Sequence, residues 1–91
     1  MIGIVILNYN TWDETEKCIN SIFKYTERTE FHIIIVDNAS PIKIKHSQFE
    51  RMISRENVEI IFSKENKGYA AGNNIGLAIV KERGYEAALI C

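Results

Sequence analysis

Hydrophobic residues fall along this chain in short apolar blocks that alternate with stretches of helical period. Ile2, Ile4, Val5, Ile6 and Leu7 make a nearly continuous run, the pattern of a strand buried on both faces, and such strands belong to parallel sheets. Phe31–Val36 is a second run, rich in β-branched residues that fit a pleated surface, and Val58–Phe62 is a third. Glu86–Cys91 reads as a fourth strand, inside which the sequence ends.

Between these blocks the period changes. Thr15, Cys18, Ile19, Ile22 and Phe23 recur at helical spacing behind a capping box of Thr11 and Glu14, which predicts a helix over 12–25. A weaker stripe of Phe49, Met52 and Ile53, behind a second box of Ser47 and Glu50, predicts a short helix between Pro41 and Arg55. Ala71, Ile75, Ala78, Ile79 and Glu82 repeat up to Gly84, which is placed as a left-handed helix stop. The order βαβαβαβ with short loops implies right-handed crossovers and a Rossmann-like, doubly wound α/β fold with a mostly parallel sheet of about four strands. At 91 residues the chain is one domain at most, a small domain over 1–91 or a piece of a larger one.

An apolar content of 46% with 25% charged residues predicts a packed core, and one proline with five glycines gives no sign of disorder. The formal charge of -1 supplies no bulk attraction for nucleic acid, so no nucleic-acid partner is expected. Lys43, Lys45 and His46 read as a solvated loop. Cys18 and Cys91 have no CxxC spacing and no accompanying histidine pattern, which supports neither zinc nor a disulfide scaffold and makes a reducing compartment the default. Met1–Val5 lacks a basic n-region and is too short for a signal peptide or a membrane span. The expected location is cytoplasmic, with membrane association left to a longer protein.

Each of the first three runs ends in a polar turn: Asn8-Tyr9-Asn10, Asp37-Asn38-Ala39-Ser40, and Ser63 followed by Asn66-Lys67-Gly68. Parallel strands bring such turns to one edge, where open α/β sheets place their ligands. Tyr9 offers a flat ring for stacking on a base, and the flanking asparagines offer donors and acceptors; the plain alternative is an Asx-type turn. Asp37 and Asn38 stand where a Rossmann-type fold puts an acid for a ribose or base edge, so the pair could read a pyrimidine, or Asp37 and Ser40 could simply cap a turn. In Asn66–Gly76, glycines at 68, 72 and 76 with Ala70 and Ala71 strip a helix start of bulk, at roughly 0.5–1 kcal/mol per interior glycine. Close packing onto the sheet is one reason, and room for ligand phosphates at the helix N-terminus is another. The stretch is neither GxGxxG nor a Walker loop. Asn73 and Asn74 are poor helix formers and are expected to have partners.

With VILNYN, VDNAS and NKGYAAGNNIGL in this order over residues 2 to 77, the chain resembles the N-terminal, nucleotide-binding half of a family 2 glycosyltransferase with the GT-A fold, with a rhamnosyltransferase-like flavour. The resemblance implies a UDP- or dTDP-sugar donor held at Leu7, Tyr9, Asp37 and Asn38, with Gly68 and Asn73 of the small-residue helix start completing the nucleotide-binding set. Many relatives carry two acids where this chain has Asp37 and Asn38, and often an arginine where it has Asn73. Also implied are a carbohydrate or lipid-linked acceptor, a role in cell-surface polysaccharide synthesis, and inverting transfer in which a general base deprotonates the acceptor hydroxyl. Magnesium or manganese would be held by an Asp-x-Asp-type motif after the fourth strand, past Cys91. Neither catalytic nor metal-binding residues are therefore expected within the chain, which alone is expected to be inactive. A sheet edge that a missing half would cover is expected to favour a homo-oligomer. The reading from another class is a non-enzymatic Rossmann-like nucleotide-binding or interaction module whose asparagine turns act only as caps.

Overall fold

The computed structural model describes residues 1–26 and 31–89. Seven elements alternate along it: β1 (Ile2–Asn8), α1 (Trp12–Tyr25), β2 (Phe31–Asp37), α2 (His46–Ile53), β3 (Val58–Phe62), α3 (Tyr69–Glu82) and β4 (Glu86–Leu89). Ile90 and Cys91, expected to continue the fourth strand, lie outside the described residues. All strand pairs are parallel and the order is β3-β2-β1-β4, with Ile2 opposite Phe31 and Asn8 opposite Asp37. The chain steps outward from β1 to β3, and α3 then carries it back to the other flank of β1. This is a doubly wound α/β sheet of the Rossmann-like kind, matching part of a GT-A fold.

Strand pleating sorts the core into two layers. Ile4 and Ile6 of β1, Phe31, Ile33 and Ile35 of β2 and Val58 of β3 meet Ile19 and Ile22 of α1 and Met52 of α2 on one face. Val5, Ile34 and Val36 meet Val80 of α3 on the other. Each such aliphatic side chain contributes about 1.5–3 kcal/mol when fully buried. Both faces of β2 are covered, which is why its sequence is apolar without alternation. β3 lies at the sheet edge, buries only Val58, and ends in the exposed Phe62.

Neither predicted capping box forms. Thr11 does precede α1, but its hydroxyl donates to Asn8 Oδ1 at 3.2 Å rather than capping the helix. The second helix begins one residue before Ser47, with Lys45 at the cap position, so Ser47 lies within the first turn. Its buried face combines Met52 with Gln48, a residue that hydrophobic counting passes over; Gln48 Nε2 donates to Asp13 Oδ1 at 3.0 Å and Glu16 Oε1 at 3.1 Å. Gly84 behaves as expected: at φ 73° it ends α3 with its own N–H on Lys81 O and that of Tyr85 on Val80 O. Cys18 is not a free thiol.

Close packing accounts for the glycines inside α3. A Cβ on Gly72 would lie 2.5 Å from Leu7 Cδ1, and one on Gly76 2.4 Å from Val5 Cγ1. The helix therefore rides directly on β1, and its first turn comes down beside the ends of β1 and β2.

Candidate functional site

Residues 37 and 38 point to opposite faces because they are successive positions at the end of one strand. Each organises a separate set of polar contacts. On the α1 side, Asp37 is only 5% exposed. Its Oδ1 accepts from Asn8 Nδ2 at 3.0 Å and from the Ser40 hydroxyl, and its Oδ2 accepts from Ser40 N at 3.3 Å. Asn8 Oδ1 in turn accepts from the hydroxyls of Thr15, at 2.7 Å, and Thr11. Ser40 Oγ also accepts from Asn10 N at 2.9 Å. Two backbone positions make this closure possible, since Asn10 and Ala39 adopt left-handed conformations at φ 57° and 58°. The alanine has no side-chain hydrogen bond to offset that cost of roughly 1–2 kcal/mol. It turns the chain back so that Ser40 meets Asp37.

On the α3 side, Asn38 is 3% exposed. Its Nδ2 donates to Asn66 Oδ1 at 2.9 Å and to Gly68 O at 3.2 Å. Asn66 Oδ1 also accepts from Gly68 N at 2.8 Å. Gly68 needs its φ of 99°, which an L side chain rarely adopts, and from there α3 begins without a side-chain cap. A cavity of about 290 Å3 lies beside this turn, lined by Asn38, Ser63, Lys67, Gly72 and Ile75 among others.

The three turns expected at one edge thus meet there. Asn38 N donates to Asn8 O at 2.9 Å, Ser63 N to Asp37 O at 2.9 Å, and Asn38 to Gly68. Leu7 packs under Gly72. Tyr9 follows β1 and is 44% exposed, leaving its ring face available. Asn73 is 7% exposed, one turn into α3, and its side chain makes no hydrogen bond to a described residue, contrary to the expectation of a partner. The Asp37–Ser40 turn closure that the sequence offers does form, and Ser40 also ties in Asn10. Thr15 as a donor to Asn8 and Asn66 as an acceptor are not singled out by the sequence. Thr15 had been counted in an apolar stripe, where its hydroxyl is invisible to periodicity. Asn66 lay inside the glycine-rich motif, and its spacing of two before Gly68 is the signal of an Asx turn.

Charge is sparse at this edge, where Lys67 pairs with Glu65 at 3.3 Å on the surface. Among the described residues no three His, Cys, Asp or Glu side chains stand together as a metal site. Asp37 has both carboxylate oxygens engaged by Asn8 and Ser40, so the described residues do not fit a divalent cation. On the distant α1–α2 flank, the Arg51 guanidinium bonds Glu16 in bidentate fashion at 3.0 Å and holds that carboxyl below its ordinary pKa.

The family model described as glycosyl transferase family 2 matches residues 3–88. The chain belongs to glycosyl transferase family 2. The match carries the family and does not extend to the rhamnosyltransferase-like flavour. A curated relative, glycosyltransferase AglE of Haloferax volcanii, is 26% identical over 77 residues, covering 84% of this chain. The chain spans about a quarter of that relative's length, 25%. Among the described residues no helix is long and apolar enough to cross a membrane.

Proposed function

We propose that residues 1–91 form the nucleotide-binding part of a glycosyltransferase that moves a sugar from a UDP- or dTDP-sugar to a hydroxyl of a carbohydrate or lipid-linked acceptor, in cell-surface polysaccharide synthesis. The observation that carries this reading is the meeting of the three polar turns at the carboxyl ends of β1, β2 and β3, where an open sheet binds ligands. Tyr9 supplies the stacking face for the base. Asp37, immobilised by Asn8 and Ser40, supports the floor of the site, and Asn38 and the cavity beside it receive the nucleoside. The uncapped N–H groups of α3 and the unpartnered amide of Asn73 suit phosphate oxygens.

The chain on its own is proposed to bind donor without transferring sugar. β3 and β4 are the outer strands, and a second copy pairing along an outer edge belongs to the same proposal; light scattering would read it as mass above the monomer. Calorimetry with UDP and dTDP tests the central point. Binding that weakens about tenfold in Asp37→Ala, measured on folded protein, supports the site. No binding of either nucleotide by the wild type favours a non-enzymatic module.

A further inference from the structure

We infer that Asn38 and Asn66 are positioning residues, a two-amide clamp that fixes the start of α3 for the nucleotide and requires an amide rather than a second acid after Asp37. The inference deepens the donor-binding reading and rests on it for the ligand. Amide orientation is settled from one end. Gly68 N–H needs an acceptor, so Asn66 turns its oxygen to it, at 2.8 Å. That same oxygen meets Asn38 at 2.9 Å, which must therefore present nitrogen, and the other proton of that nitrogen finds Gly68 O at 3.2 Å. Gly68 O also accepts from Gly72 N at 3.1 Å, so the clamp grips the first turn of the helix.

Two consequences follow. A carboxylate at 38 would face two oxygens with no proton between them, whereas a carboxylate at 66 keeps both of its accepting roles. With both amide protons committed, Asn38 has only Oδ1 left for a ligand, an acceptor as an aspartate would be. The ligand group it selects is thus a donor N–H or O–H, such as the imide N–H of a uracil or thymine base.

Amide exchange and nucleotide calorimetry on the whole chain test this. In the wild type, the Asn38 side-chain protons should exchange at least about tenfold more slowly than those of exposed Asn20; equal rates overturn the clamp. Asn66→Ala and Asn38→Asp should each speed Gly68 N–H exchange and weaken UDP or dTDP binding by about tenfold, while the conservative Asn66→Asp recovers both to within about threefold. Gly68 exchange unchanged in Asn66→Ala and Asn38→Asp, or Asn66→Asp as impaired as Asn66→Ala, overturns the proposal. Exchange of the β2 core amides reports whether a variant has merely unfolded. If the wild type binds neither nucleotide, the donor-binding reading falls, and Gly68 exchange together with the Asn38 side-chain protons still decides the clamp.

Discussion

Asp37 and Asn38 are neighbours in sequence, both almost fully buried, yet the structures they anchor differ in kind. The Asp37 side is closed: its carboxylate, Asn8, Ser40 and Thr15 satisfy one another, and three of the four lie on or just after the strands they tie together. The Asn38 side is open: its partners sit on a turn and a helix start, a cavity adjoins it, and glycines bring α3 close. A closed polar knot in a low-dielectric interior is rigid and costly to break. An open one leaves an acceptor, here Asn38 Oδ1, for a ligand. The pleat of one strand thus divides the site into a foundation and a receiving surface.

The helix packing beneath this division should give the largest effect. Gly76→Val places atoms where Val5 already stands, 2.4 Å from the new Cβ, and is expected to lower the unfolding free energy by about 3 kcal/mol in urea titration. Next comes the foundation: Asp37→Ala leaves Asn8 and Ser40 buried without their acceptor and should cost about 2 kcal/mol. Asn38→Ala should cost only about 1 kcal/mol by the same assay, because its partners lie nearer solvent. Equal losses at the two positions would erase the distinction between the sides.

Tyr9→Ala sharpens it from the functional direction. Stability should stay within about 0.5 kcal/mol, since the ring is half exposed. Nucleotide affinity should fall about tenfold, as expected for a lost stacking ring. The smallest effect lies far from the edge. Arg51→Gln removes the partner that lowers the Glu16 pKa from 4.5, so any stability difference from wild type is fully present above that value. It should vanish as pH falls through the lowered folded pKa, because protonated Glu16 no longer draws on the guanidinium. Matched urea titrations across acidic pH check this.

Much of the fold was legible because apolar period and strand order are properties of the sequence itself. α1 begins and ends where the spacing of Thr15 to Phe23 predicts, and Gly84 stops α3 through a backbone conformation that glycine favours. The convergence of the turns followed from parallel strands. What escaped was the assignment of polar partners. Thr11 and Glu14 carry the letters of a capping box, but a buried Asn8 competes for the threonine hydroxyl and wins. The Asp37–Ser40 turn was legible as an alternative, but that Ser40 also accepts from Asn10 N was not, because it depends on Ala39 adopting a left-handed conformation which its residue type disfavours. Asn38 and Asn66 find each other across 28 positions, a distance at which pattern reading has no purchase.

The most direct test of the account is a titration of the 15N-labelled chain with UDP and with dTDP, followed by amide chemical shifts. Saturable shifts are expected, confined to Tyr9, Asn38, Gly68 and Asn73 and their neighbours at the carboxyl edge of the sheet. Shifts absent at those residues, or centred on Glu16 and Arg51 between α1 and α2, would contradict it.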